Sequence, residues 1–193
     1  VTITAKKGSA PYPWSYVGGF AGTVKNADFL RCVNNGTVTT DGDYVSGFAA
    51  KSETTTYTSC VNNGAITGRT KIGGFGGAVK STKTVDSYNT GTIGLAAYNG
   101  GNQGIGGLFG EMGYGSTLTR CYNTGAVTGD CYVGGLVGSV GSGSDATNGP
   151  SYIVDSYNSG SITGHSDKTY CGIGGLVGKL DASSSRTYEQ SYV

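Results

Sequence analysis

The sequence predicts an all-β protein, a parallel β-solenoid of about six coils with roughly three short strands in each coil. Three observations favour this fold: a phrase recurs along the whole chain, glycines occupy fixed places within it, and no stretch shows a sustained 3.6-residue apolar period. The phrase is clearest from Cys121 to Gly138, where it reads CYNTGAVTGDCYVGGLVG. Recurrence of this kind is typical of similar coils stacked on one another.

Two anchor motifs define the recurring unit. A unit of about 27 residues holding three short strands is the size of one solenoid coil. The first anchor is an apolar-Gly-Gly element, with Ser as the middle residue in the second copy, and its copies begin at Val17, Val45, Ile72, Ile105, Val133 and Ile173. Successive copies are 28, 27, 33, 28 and 40 residues apart. The second anchor, [Cys/Ser]-[Val/Tyr]-Asn-x-Gly-x-[Val/Ile], begins at Cys32, Cys60, Ser87, Cys121 and Ser156.

Alternation around the second anchor predicts which side chains point inward. Counted from the Cys or Ser, even offsets carry apolar, small or amide residues, which suit an interior. Those at minus two are Leu30, Thr58, Val85, Thr119 and Val154, and those at plus six are Val38, Ile66, Ile93, Val127 and Ile162. The charged residues at minus one and the tyrosines at plus one occupy odd offsets, so we expect them to face outward.

Composition excludes several function classes. Only 13% of the residues are charged and the net charge is +1, so neither nucleic acid nor an anionic membrane is an expected partner. No apolar run approaches the ~20 residues that span a bilayer, so we expect no membrane insertion. Low charge and abundant Thr, Ser, Asn and Tyr suit an extracellular or cell-surface β-rich protein.

Both ends of the chain resemble interrupted repeats. VTIT at Val1–Thr4 matches TVTT at Thr37–Thr40, and QSYV at Gln190–Val193 matches DSYN at Asp155–Asn158. We therefore expect residues 1–193 to form a single repeat domain within a longer chain, with that chain's other domains as partners.

The residues GGLFG, GGLVG and GGLVG, each in register with CYNTG- or SYNSG-type segments and a Val/Ile-Thr-Gly, resemble the GLUG repeat. The first three copies carry Phe in place of Leu, which makes them degenerate members. The resemblance implies large secreted or wall-attached bacterial proteins, including immunoglobulin A peptidases, in which the repeat accompanies other domains. It implies no catalytic residue and no cofactor for the repeat itself.

The asparagine of the second anchor is the most regular polar feature. We expect an amide ladder, in which each side chain bonds to the next coil and to the backbone of its own turn. The glycine two residues later is expected to supply a positive φ. The alternative is a row of ligand-binding amides. The asparagines are Asn34, Asn62, Asn89, Asn123 and Asn158.

The five cysteines fall into two columns. Cys32, Cys60 and Cys121 share the second anchor, whereas Cys131 and Cys171 each precede an apolar-Gly-Gly element by two residues. Buried free thiols are one interpretation. Disulfides between neighbouring coils, Cys32 with Cys60 or Cys131 with Cys171, are the other, although parallel neighbours are an awkward geometry for a disulfide. A zinc site is not expected, because no C-x-x-C occurs and His165 is the only histidine.

Two groups of aromatic residues are candidate ligand surfaces for a glycan or a host protein. Tyr88, Tyr122 and Tyr157 recur at one outward position, where they either shield the sheet or form a flat aromatic strip suited to sugar rings. Tyr12, Trp14 and Tyr98 lie in insertions at one corner of the coil, where loops on a rigid scaffold often carry specificity. Tolerated surface insertions are the alternative for the second group.

Catalytic signatures are absent from the sequence, which contains no G-x-S-x-G, H-E-x-x-H or P-loop motif. We therefore expect a non-catalytic structural or adhesive segment that projects other domains. The alternative is a polysaccharide-processing lyase or hydrolase of the β-helix type. In that case Asp41, Asp43, Glu53 and Asp86 would converge in a groove of the solenoid.

Overall fold

The computed structural model of the chain describes residues 2–6, 15–96, 104–141, 149–165 and 171–180, together with the backbone of residues 186–189. Every regular element in these ranges is a β-strand, and the strand pairs between them are parallel. The predicted all-β, parallel architecture is confirmed. Within the same ranges, no helix is long and apolar enough to span a bilayer.

The strands form four sheets. Two of these sheets contain six strands each, and both take one strand from every repeat that they span. The first sheet consists of β1 (Thr2–Ala5), β5 (Thr37–Thr40), β9 (Ile66–Gly68), β14 (Ile93–Leu95), β19 (Val127–Gly129) and β24 (Ile162–Gly164). The second consists of β2 (Tyr16–Gly18), β6 (Tyr44–Ser46), β10 (Ile72–Gly73), β15 (Ile105–Gly106), β20 (Val133–Gly134) and β25 (Ile173–Gly174).

The third sheet has ten strands and the fourth has five. The third consists of β3 (Ala21–Leu30), β7 (Ala49–Thr58), β11 (Gly76–Lys80), β12 (Lys83–Val85), β16 (Phe109–Met112), β17 (Thr117–Thr119), β21 (Val137–Val140), β22 (Ser151–Val154), β26 (Val177–Leu180) and β27 (Arg186–Glu189). The fourth consists of β4 (Val33–Asn34), β8 (Val61–Asn62), β13 (Tyr88–Asn89), β18 (Tyr122–Asn123) and β23 (Tyr157–Asn158).

The chain visits the four sheets in turn and then returns to the first, which is the path of a parallel β-solenoid. Equivalent residues of successive repeats pair directly, as Ile72 does with Ile105 and Asn89 with Asn123. Each repeat therefore supplies strands to four sheets, and the expected three strands per coil was too low. Strands of two residues at the Gly-Gly and Tyr-Asn positions are too short to recognise by alternation.

The interior contains two apolar clusters. One joins the inward columns of the first and second sheets and consists of Val38, Val45, Ile66, Ile72, Ile93, Ile105, Val127 and Val133, each at most 1% exposed. The other fills the space against the third sheet, where Phe48, Phe75, Leu108 and Leu136 pack beside Tyr57, Leu118 and Ile153. The residues predicted at plus six are thus core residues, with Ile162 packed against the cluster at its edge.

The residues at minus two face outward, contrary to expectation. Leu30 is 55% exposed and Val85 is partly exposed. The residue before the minus-two position is the buried one, as Tyr57 and Leu118 show in two other repeats. The cause is the residue at minus one, which adopts a left-handed conformation with φ between 49° and 52° in every described repeat. A left-handed residue turns the chain and resets the alternation of side chains. The residues at this bend are Arg31, Ser59, Asp86, Arg120 and Asp155.

The glycine of the second anchor is required for close approach and not for a positive φ. Among the described glycines, positive φ occurs at Gly115, Gly141 and Gly149 and at none of the anchor glycines. A Cβ on Gly91 would lie 2.1 Å from the carbonyl oxygen of Gly64 in the neighbouring repeat. Any side chain at this position would force adjacent repeats apart.

Replacing Gly91 with Ala should destabilise the protein by about 3 kcal/mol or more, because the added methyl group overlaps a backbone oxygen that cannot move without separating two strands. The matched control is Gly94→Ala in the same repeat, where a Cβ would meet nothing closer than 4.0 Å. Chemical denaturation of both variants measures the difference. Equal stability of the two variants would contradict the stacking role of Gly91.

Candidate interaction surface

The five asparagines of the second anchor form a continuous ladder of side-chain hydrogen bonds. The Nδ2 of each of the first four asparagines donates to the Oδ1 of the asparagine in the next repeat. The four distances, in order from Asn34 to Asn158, are 2.7, 2.6, 2.7 and 2.8 Å. The same Nδ2 donates to the carbonyl of the glycine two residues later, as from Asn123 to Gly125 at 2.8 Å. The ladder therefore joins the repeats to one another and closes the turn within each repeat.

These amides are buried and hydrogen-bonded within the scaffold. Asn62, Asn89 and Asn123 are 0% exposed, and the outermost members reach only 7%. Their amide nitrogens are bonded to the next repeat and to the backbone of their own turn. The geometry thus matches the structural interpretation of the column and gives no support to ligand-binding amides.

Tyr88, Tyr122 and Tyr157 stack on the outer surface of the fourth sheet, directly outside the ladder. Ring centroids are 4.5 Å apart for the first pair and 5.1 Å for the second, with interplanar angles of 4° and 8°. The in-register parallel pairing of β13, β18 and β23 imposes this spacing. We call these three residues the tyrosine stack.

Stacking covers the ring faces, so the flat aromatic strip that the sequence suggested does not form. The stack presents ring edges and a row of phenol hydroxyls to the outside instead. Burial raises the pKa of the Tyr122 phenol, and the neighbouring Tyr88 and Tyr157 phenols raise it further. At neutral pH the Tyr122 phenol is therefore uncharged and able to donate a hydrogen bond.

Polar columns flank the tyrosine stack on both sides. On one side, the Arg120 guanidinium donates to both carboxylate oxygens of Asp86 at 2.6 and 2.9 Å, a bidentate pair that lowers the pKa of Asp86 through these hydrogen bonds. On the other side, Asn63 donates to Asn35 at 2.8 Å and accepts from Thr90 at 2.7 Å. Phenols, charges and amides thus line one face of the molecule.

The second predicted aromatic group cannot be placed relative to this face. Tyr12, Trp14 and Tyr98 lie outside the described residues.

The two cysteine columns differ in oxidation state. Cys131 and Cys171 form a disulfide with a Cα–Cα distance of 4.7 Å, while Cys32, Cys60 and Cys121 are free. Both bonded cysteines lie before their strands, so the pleat does not fix the direction of their side chains. Burial raises the pKa of the Cys121 thiol to about 12, which keeps it protonated and unreactive at neutral pH.

The acidic residues considered for sugar cleavage are divided among separate ion pairs. Asp43 pairs with Arg69, Glu53 with Lys25 at 3.1 Å, and Asp86 with Arg120. Asp41 also has an interaction partner. The described part of the chain holds no cluster of three or more His, Cys, Asp or Glu side chains suited to a metal ion.

A further charged cluster, not among the sites predicted from the sequence, joins residues at the second and third sheets. Lys71 lies 2.6 Å from Glu111, and its ammonium group sits 4.9 Å from the ring centroid of Tyr44. Burial alone would lower the Lys71 pKa, but Glu111 and then Tyr44 raise it overall. Tyr44 and Lys71 each directly precede a copy of the first anchor, so the repeat could have placed these two residues in one column, whereas Glu111 lies in β16 at a position that neither anchor marks.

Comparisons with known proteins identify the fold and no family. No protein-family model matches the chain, and no curated protein matches it. A solved structure from Bacteroides ovatus, named as a "putative immunoglobulin A1 protease", is similar over 100% of this chain and 68% of its own, with a TM-score of 0.64. The sequence identity is 19%, so the likeness is one of fold.

Asn123→Leu should lower the free energy of unfolding by about 1–3 kcal/mol, because it leaves the amides of Asn89 and Asn158 without their buried partner. Thr124→Leu introduces the same side chain at the exposed neighbouring position and serves as the control. Thermal and urea unfolding measure both. An unchanged melting temperature for the Asn123 variant would show that the ladder does not stabilise the fold.

Thiol titration of the unfolded, unreduced protein should give three reactive groups, rising to the full five after reduction. The physical reason is that the Cys131–Cys171 bond alone removes two thiols. Cys121→Ser should lower each count by one. Cys131→Ser should give four thiols both before and after reduction, because Cys171 loses its partner and becomes free. The decisive result is the wild-type count, and five thiols before reduction would exclude the disulfide.

Proposed function

We propose that this chain is a non-catalytic, GLUG-type solenoid domain of about six coils in a bacterial cell-surface or secreted protein. Its role is structural and adhesive: it spaces or projects other domains and offers an elongated side surface to a glycan or a host protein.

The observation that carries this proposal is that the recurring residues serve the stacking of coils. The asparagines bond to one another, the anchor glycine permits close approach, and the apolar columns fill the interior. Selection for a reaction centre would keep a local constellation of residues, whereas here the repeated positions extend along the whole axis. A rigid rod with a periodic surface is suited to spacing and multivalent contact.

The tyrosine stack and its polar flanks are the surface that we assign to adhesion. Tyr157 is 40% exposed and the phenol hydroxyls of the stack lie in a row. Because the ring faces are covered, a glycan would bind here through hydrogen bonds to hydroxyls and to the Asp86–Arg120 pair.

The solved structure with the same fold supports a bacterial surface setting for the proposal. That protein is named for immunoglobulin A1 cleavage, and the name says nothing of which part of it would carry the chemistry. The disulfide in the present chain suits an oxidising compartment, since such bonds persist outside the cytosol.

Binding of the labelled protein to a glycan array and to a panel of host surface proteins tests the adhesive role. A ligand recognised by the tyrosine stack should be lost with the triple variant Y88F/Y122F/Y157F, which removes the hydroxyls and preserves ring stacking. The matched control, Tyr16→Phe, removes a hydroxyl from the second sheet and should bind as the wild type.

A turnover assay on the same glycans tests the enzymatic alternative. Release of reducing ends or unsaturated products, abolished by Asp86→Asn or Asp41→Asn, would contradict the proposal. Absence of both turnover and binding would reduce the role to that of a spacer.

A further inference from the structure

The tyrosine stack holds two phenol side chains of neighbouring repeats in a geometry that suits a covalent bond between them. Tyr88 and Tyr122 are paired in register in β13 and β18, with ring centroids 4.5 Å apart and an interplanar angle of 4°. Because the rings are nearly parallel and extend from paired backbone positions, equivalent ring atoms are about as far apart as the centroids. The ortho carbons of the two phenols, which lie beside the hydroxyls, are therefore neighbours across the stack.

The two rings are fixed at their base and open at their outer edges. Tyr88 and Tyr122 are partly exposed, whereas the residues that follow them, Asn89 and Asn123, are 0% exposed and bonded to each other in the ladder. The ladder keeps the rings opposite each other while a small oxidant can reach their edges from the side of the rod. The two strands lie between β8 and β23, so the geometry of this pair depends on neither end of the chain.

The charges around the stack favour the loss of an electron more than those around a second tyrosine pair, Tyr16 and Tyr44, on the second sheet. The centroids of that pair are 4.7 Å apart, but the Lys71 ammonium group lies 4.9 Å from the centroid of Tyr44. Removing an electron leaves positive charge on the ring, which a nearby cation opposes. Among the described cations none lies over a ring of the tyrosine stack, and the Arg120 charge beside the stack is paired with Asp86.

We propose that Tyr88 and Tyr122 are a modification site, at which oxidation joins the two rings into a dityrosine cross-link between neighbouring repeats. The oxidant is hydrogen peroxide, used by a haem peroxidase that takes electrons from phenols one at a time. This inference goes beyond the proposed adhesive role, because the cross-link requires no ligand on the surface.

The cross-link forms by loss of hydrogen from both phenols. Each phenol loses one electron and one proton and becomes a phenoxyl radical, and the two electrons and two protons reduce one hydrogen peroxide to two waters. The two radicals form a carbon–carbon bond between their ortho carbons. Each of these carbons then releases its hydrogen as a proton and each phenol oxygen takes one up, which restores both aromatic rings. The protein loses two hydrogen atoms in total and keeps both hydroxyl groups.

The bond would fasten two inner repeats to each other beside the asparagine ladder. A covalent bond between distant residues restricts the unfolded chain, as a disulfide does, so the cross-linked protein should melt at a higher temperature. The Cys131–Cys171 disulfide joins two later repeats in the same way. The two cross-links would thus stabilise different parts of the rod.

Treatment of dilute protein with hydrogen peroxide and a haem peroxidase tests the proposal. The wild type should gain dityrosine fluorescence, remain monomeric and lose the mass of two hydrogen atoms. Tyr122→Phe keeps the ring stacking and should lower the yield at least about tenfold, because no second phenol is then held beside Tyr88. The matched control, Tyr44→Phe, removes a phenol from the second tyrosine pair and should be cross-linked as the wild type. Circular dichroism melts confirm that both variants are folded.

Peptide mapping of the oxidised monomer identifies the bonded residues. We expect one linked pair of peptides, with the bond between Tyr88 and Tyr122. Four results would overturn the proposal: a bond mapped to other tyrosines, cross-links only between copies of the chain, wild-type yield in the Tyr122 variant, or no dityrosine at an oxidant dose that couples free tyrosine.

Discussion

Hydrogen bonding between successive repeats is the constraint on which the rest of the structure depends. No strand is stable alone, since many have only two or three residues, and each is held by the equivalent strand of the neighbouring repeat. The asparagine ladder adds a side-chain bond between repeats and closes the turn where the backbone passes from the fourth sheet to the first. Because equivalent residues must lie directly above one another, any property of one repeat is multiplied along the axis.

This constraint explains both the regular and the unusual features of the molecule. The anchor positions require glycine because a carbonyl oxygen of the neighbouring repeat lies too close for a side chain, as that of Gly64 does at Gly91. Left-handed residues such as Asp86 and Arg120 recur because every coil bends at the same place. The same stacking that aligns Tyr88 with Tyr122 covers their ring faces, so it decides what chemistry the outer surface can offer.

Function on such a scaffold is a property of columns. A column presents one chemical group at intervals of about 4.8 Å, which suits extended or repetitive partners better than a compact small molecule.

The sequence by itself determined the parallel all-β fold, the asparagine ladder and the core columns at plus six, because strict repetition forces residues such as Asn89 and Asn123 into contact. It did not determine the number of strands per coil, the outward direction of Leu30 or the role of the anchor glycine. Those depend on a left-handed bend at a non-glycine residue and on distances between repeats, which no local pattern encodes. Pairing of Lys71 with Glu111 likewise follows only from tertiary stacking, since an insertion separates these residues along the chain. For Cys131 and Cys171 the sequence left free thiols and a disulfide as alternatives, and the distance between the stacked repeats decided for the disulfide.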